Sequence, residues 1–182
     1  LSAARVRASC ADSGIVCDCG EVTTPFYRIK FAPDGSILSL YDLELHREWV
    51  KGDFNKLKIY HDTPGNYDAW DILPNYKDKQ EQLRVTEPLH FVGDDGECAE
   101  LACTLVTEKS VWRRVIRLFA SSRGIEVENI VDWNEKHRLA KVKFGCNVLT
   151  RELLCDTSAG IIRRETHRNT SWQQARFEVC HH

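Results

Sequence analysis

With 182 residues, 42% of them hydrophobic and 29% charged, the chain is long enough to bury its own core without help from disulfides or a structural metal. Its formal net charge of -2, with acidic and basic residues interleaved, excludes the basic stripe by which proteins hold nucleic acid. No apolar run approaches the roughly 20 residues of a membrane helix and no leader pattern opens the chain, so neither a nucleic-acid nor a membrane partner is expected.

Residues 1–23, rich in Ala, Ser and Cys, form a lead-in of uncertain structure, a strand pair or a frayed end; residues 2–11 and 43–51 are short helical candidates without good caps. Residues 26–31 begin a clear period of two, with Tyr27, Ile29 and Phe31 on one face and Arg28 and Lys30 on the other, the mark of a half-buried strand. Ala32-Pro33-Asp34-Gly35 supplies turn chemistry and residues 36–41 return, which predicts a hairpin. Residues 55–60 place Leu57 and Ile59 inward and Lys56 and Lys58 outward. Further strands are predicted at 83–92, 100–107, 111–119, 125–133, 140–148 (with Lys141 and Lys143 outward) and 175–180. Turn residues separate them at Asp53, Gly65-Asn66, 93–96, 121–124 and 134–135. Strands at such spacing without amphipathic helices between them predict an all-β, antiparallel sandwich or barrel.

The cysteines, Cys10, Cys17, Cys19, Cys98, Cys103, Cys146, Cys155 and Cys180, are even in number but irregularly spaced. Without a secretory signal they are expected to be reduced and the protein cytoplasmic. Cys103 and Cys146 sit among apolar neighbours in strand-like runs and are expected to act as small hydrophobes. Cys17-Asp18-Cys19 is a lone C-x-C where a zinc site wants paired C-x-x-C units, so no metal is expected in this chain. The absence of methionine and the start at Leu1 suggest an internal segment of a longer protein, or a processed chain.

Two stretches break the alternation. In the first, around Tyr67, Asp68, Trp70 and Asp71, flat aromatic faces suit the C–H side of a pyranose, and carboxylates accept from vicinal hydroxyls. This is the composition of a saccharide-lining loop, but aromatics in loops are mostly packing, so composition alone favours a loop whose rings plug the sandwich edge while its carboxylates cap turns. Asp68 and Asp71 as a glycosidase pair would need a separation of about 5–5.5 Å for retention or about 6.5–9.5 Å for inversion, and two acids three apart are too common to argue for either. The second stretch, residues 163–176, is dense in donors and acceptors, among them His167, Asn169 and Arg176. A lone histidine there is more often structural than a ligand, and with no secretory signal in this sequence the sequon Asn169-Thr170-Ser171 is expected to be a coincidence.

Four segments in order resemble the C-terminal region of glycoside hydrolase family 38, the α-mannosidases, especially its bacterial and cytosolic branch. They are Thr24-Pro25-Phe26-Tyr27-Arg28-Ile29 with the following hairpin, Gly65-Asn66-Tyr67-Asp68-Ala69-Trp70-Asp71-Ile72, Val131-Asp132-Trp133-Asn134-Glu135-Lys136-His137-Arg138-Leu139-Ala140-Lys141-Val142, and Thr166-His167-Arg168-Asn169-Thr170-Ser171-Trp172 with Ala175-Arg176-Phe177-Glu178-Val179. Glu165 departs from the proline often found before Thr-His, Cys180 replaces an aromatic or aliphatic residue, and residues 1–21 match nothing in the family pattern.

The resemblance implies an antiparallel two-sheet supersandwich similar to galactose mutarotase. Residues 24–182 would be part of that domain, with its final strands still to come. It further implies a retaining, zinc-dependent parent whose nucleophile, acid–base carboxylate and zinc ligands all lie in a catalytic barrel domain. No catalytic or metal-binding role is then expected here, and no cofactor in this segment. Tyr67, Asp68, Trp70, Asp71, His167, Asn169 and Arg176 are expected to meet the catalytic domain or an α-mannoside oligosaccharide. Two alternatives are a stand-alone carbohydrate-binding module and a mutarotase-like enzyme using His167 with an acidic partner. An uncovered edge strand also predicts homodimerisation in concentrated solution.

Overall fold

Most strands pair with their chain neighbours, and the exception is the strand Val50–His61, which pairs with the distant strand Arg138–Cys146. The structure, a computed structural model, describes residues 7–9, 14–18, 20–67, 70–73, 75–157, 159–167 and 169–175. The chain divides into two compact units, Leu1–Asn147 and Val148–His182.

In the first unit, β1 (Arg7–Ser9), β2 (Val16–Asp18), β3 (Glu21–Thr23), β4 (Tyr27–Phe31) and β5 (Ile37–Asp42) form an antiparallel meander. The short β6 (Arg47–Glu48) pairs with β5, and the long β7 (Val50–His61) carries the sheet on to β13 (Arg138–Cys146). A 3-10 turn over Tyr76–Asp78 leads into β8 (Gln80–Glu81), which pairs with the end of β7. The second sheet runs β12 (Ile125–Asp132), β11 (Val111–Phe119), β10 (Cys98–Val106), β9 (Arg84–Asp94). Ile29, Phe31, Ile37 and Leu40 of the first sheet share one buried cluster with Ala99, Leu101, Ile116 and Leu118 of the second. The fold is therefore an all-β antiparallel sandwich, as alternation predicts. Among the described residues no helix is long and apolar enough to cross a membrane.

The described part of the lead-in forms strands, and Ile15, Cys17 and Val22 enter the core. Residues 43–51 are not helical: a turn follows Asp42, because the Asp42 carboxylate accepts the Glu44 and Leu45 backbone N–H groups at 3.0 and 2.9 Å, and β6 and β7 take the rest. Of the other helical candidate, residues 7–9 form β1, and the remainder lies outside the described residues.

Asn55 shows how one residue shapes the sandwich. Lys143 opposes Lys56 and Phe144 opposes Phe54, so Asn55 is the extra residue of a β-bulge. It adopts φ 51°, a left-handed conformation that Asn tolerates through its short polar side chain. That side chain is buried and donates from Nδ2 to the Gly35 carbonyl at 3.0 Å. From the facing sheet Arg114, 0% exposed, donates to Asn55 Oδ1 at 2.6 Å, to the Asn55 carbonyl at 3.0 Å and to the Asp34 carbonyl at 3.2 Å. Its Nε completes the set on Asn129 Oδ1 at 3.1 Å. Gly35, at φ 74°, admits this approach because a Cβ there would lie 2.9 Å from Cys103 Sγ. Desolvation lowers the Arg114 pKa, and the network of oxygens offsets that burial.

The second unit is a hairpin of β14 (Glu152–Thr157) and β15 (Gly160–Glu165), then the single turn α1 (Ser171–Ala175). Alternation does not predict this hairpin, because Leu153 and Leu154 are adjacent and Ile161 and Ile162 likewise, which hides the period of two. The strand expected at 175–180 falls almost wholly outside the described residues, and Ala175 itself ends α1. Two further expectations are corrected. Cys103 is fully buried, but Cys146 is exposed on β13, as are Val142 and Phe144 from the face predicted to be covered. Asp53 does not mark a turn; it lies inside β7, where its carboxylate bridges Lys58 and Lys143.

Candidate functional site

The aromatic loop of the first unit is pinned at its base and open at its tip. The Asp62 carboxylate accepts the Leu73 N–H at 3.0 Å, and the Asp62 N–H donates to the His137 carbonyl at 3.0 Å. Past the loop, Tyr76 is buried with its ring edge-on to Tyr60, centroids 5.0 Å apart, and its hydroxyl accepts from Lys141 Nζ at 2.8 Å. At the tip Tyr67 takes φ 54°, and its carbonyl accepts the N–H groups of Trp70 and Asp71 at 2.9 and 3.0 Å. This tight turn turns the rings outward: Tyr67 is 72% and Trp70 85% exposed. The rings therefore do not plug the sandwich edge of this unit. Asp71 is exposed beside them, whereas Asp68 lies outside the described residues.

In the second unit Thr170 Oγ1 accepts the Gln173 N–H at 3.2 Å and Gln173 Oε1 accepts the Thr170 N–H at 3.1 Å. This is a reciprocal capping box, and it fixes the start of α1. Gln173 Nε2 also donates to Glu165 Oε2, which lies 3.2 Å from His167 Nε2. His167 is thus brought together with Glu165 and Gln173. Asn169 is exposed, and Arg176 lies outside the described residues. Sequence reasoning passes over Trp172, which α1 leaves 78% exposed. The pattern Thr170-Ser171-Trp172-Gln173 is the available signal, since a capping box starts a helix and leaves its early positions facing water.

Among the described residues no group of three or more His, Cys, Asp or Glu side chains converges as metal ligands would. The described residues therefore offer no ligand set that fits a zinc ion. Cys17 and Cys103 are also poor nucleophiles, because burial first of all pushes each thiol up to about 11.

The model of the glycosyl hydrolases family 38 C-terminal domain matches residues 22–182. The chain belongs to glycosyl hydrolase family 38. Its family 38 C-terminal domain is 32% identical over 179 residues to alpha-mannosidase G of Dictyostelium discoideum, which covers 88% of this chain and 16% of that protein. It is 30% identical over 168 residues to the alpha-mannosidase of Saccharomyces cerevisiae, covering 81% of this chain and 15% of the relative. Over 159 residues it is 28% identical to alpha-mannosidase 2C1 of Homo sapiens, covering 85% and 15%. The chain thus spans about one sixth of the length of the curated relatives it matches. Both stretches singled out above, the Tyr67 loop and the His167 segment, lie inside the family 38 match.

Proposed function

We propose that this chain is the non-catalytic β-sandwich part of a retaining, zinc-dependent α-mannosidase, and that its two polar–aromatic segments meet the catalytic domain or the rim of the mannoside pocket. The exposure of Trp70 on a loop braced at its base carries this reading. A large apolar ring held in water by a defined turn is unfavourable for a free surface, and suits a surface that a sugar or another domain covers. Tyr67, Asp68 and Asp71 belong to the same loop, and His167, Asn169 and Arg176 to the second segment. Their role is to position an oligomannoside or to orient groups of the catalytic domain, which raises a rate by fixing geometry without breaking bonds. Zinc, the nucleophile and the acid–base carboxylate belong to the catalytic domain.

Hydrolysis of an aryl α-mannoside by the purified chain, with and without added zinc, tests the non-catalytic assignment. Inactivity in both conditions is expected. Zinc-dependent turnover that exceeds Trp70→Ala and Asp68→Ala controls would place the chemistry in this chain and overturn the assignment. Direct affinity of the isolated chain for methyl α-mannoside, lost in Trp70→Ala, would favour sugar contact over domain contact for the loop.

A further inference from the structure

Along one edge of β7 the sheet has a gap. β5 reaches β7 only at the Ile37–Phe54 pair, and β8 joins it only at Ile59 and Tyr60. Between these pairings, on the side away from β13, residues 55–58 have no strand partner among the described residues. A cleft of about 200 Å³ opens there. Leu57, Leu83, Val85 and Leu105 supply aliphatic walls, and Asp34, Lys56, Gln80, Glu81 and Gln82 supply the polar ones.

We propose that this cleft binds one small, neutral, polyhydroxylated molecule of about monosaccharide size. The polar groups decide the class of ligand. Asp34 is ion-paired with Lys56, and Glu81 accepts from Arg138 Nε at 2.5 Å and lies 3.6 Å from His61 Nε2. Each charge is already balanced by a neighbour, so the cleft has no surplus charge to offer an anion or a cation. The carboxamides of Gln80 and Gln82 carry both donors and acceptors and have no hydrogen-bond partner among the described residues. Hydroxyl groups also donate and accept, which matches such a mixed rim. The aliphatic walls take the C–H side of a ring, and the volume holds one ring, below the roughly 300–1,000 Å³ of drug-sized sites. The cleft shares no residue with the Tyr67 loop, so it is a second, separate site from the one proposed above.

The test is a ¹H–¹⁵N correlation spectrum of the full 182-residue chain titrated with methyl α-mannoside, with myo-inositol and, separately, with inorganic phosphate. Saturable millimolar shifts at Lys56, Gln80 and Gln82 are expected with the two polyols and not with phosphate. The Gln80→Ala/Gln82→Ala double variant should lose them, and Trp70→Ala should keep them. Both glutamines are exposed, so the double variant should retain the dispersed spectrum of the parent. Three results overturn the proposal: no saturable shift, shifts that survive the glutamine substitutions, or a stronger response to phosphate. Shifts confined to residues 67–72 would leave the loop reading standing and sink this one.

Discussion

Replacing Asn55 by alanine should remove the clamp between the two sheets. The new residue would have to hold φ near 51° without a side-chain amide, at a cost of about 1 kcal/mol. Arg114 Nη2 would lose a charge-assisted bond of 2.6 Å in a fully buried position, and the Gly35 carbonyl would lose its 3.0 Å donor. Lost bonds and orphaned buried groups of this kind cost about 1–3 kcal/mol each, so with the backbone term the total is about 3–7 kcal/mol. Against a usual domain stability of about 5–15 kcal/mol that is a large fraction. Urea unfolding followed by near-UV circular dichroism measures it; at a slope of about 2 kcal/mol/M the midpoint should fall by about 2 M. Asn55→Gly separates the terms, since it relaxes the backbone and should recover about 1 kcal/mol while still lacking both side-chain bonds. Asn55→Ala unfolding within about 1 kcal/mol of the parent would refute the clamp.

Gly145→Ala should part β13 from β7, because the new Cβ would lie 2.2 Å from the Lys51 carbonyl oxygen and 2.9 Å from that of Asp53, backbone atoms that cannot swing aside. A loss of about 3 kcal/mol is expected, read as a lower melting temperature and lost amide-exchange protection in β13. The Leu45 N–H above all, then Arg123, Trp49 and Glu44, outweigh burial and hold the Asp42 carboxyl at about 2. The folded value lies below the unfolded value of about 3.9, so this stabilisation is complete above about pH 4 and fades as pH falls towards 2. Melting temperature against pH should drop through that window, and Asp42→Asn should flatten the drop. Trp70→Ala should leave the chain's stability within about 0.5 kcal/mol, because the ring is exposed, yet lower kcat/KM of a full-length enzyme carrying this domain by about tenfold. Unchanged kinetics in that enzyme would remove the loop from the proposed rim.

Local alternation makes the central strands legible. In β4 and β7 the inward residues Ile29, Leu57 and Ile59 follow the period of two and are buried. The Ala32–Gly35 turn is legible for a similarly local reason: Gly35 N–H donates to the Ala32 carbonyl at 3.0 Å, and Asp34 accepts the Ser36 N–H at 3.1 Å. Position 55 is not legible. An Asn between Phe54 and Lys56 reads as a strand boundary, and only a buried Arg from the facing sheet, 59 positions away in sequence, makes it a bulge in the middle of a strand. The β14–β15 hairpin is hidden because apolar residues come in adjacent pairs there, so neither face stands out.

Alternation tells which side of a strand a residue occupies, but not whether anything covers that side. On β13, Val142 and Phe144 lie on the face that also carries Leu57 and Ile59 across the pairing, yet they are exposed while Leu57 and Ile59 are buried. Leu153, Leu154 and Ile161 are exposed on the second hairpin, and Trp70 and Trp172 on their turns. A two-stranded hairpin is marginal in water by itself, and these side chains are exposed apolar surface. The candidate site raises the same question as these strands. Composition points to Tyr67 and Trp70, and only the turn at Tyr67 shows that their rings point outward. The surfaces left uncovered, more than any cluster of reactive groups, are what support an interface role for this domain. That is why the decisive comparison sets the stability of the isolated chain against the kinetics of a complete enzyme: a side chain that serves an interface changes the second and spares the first.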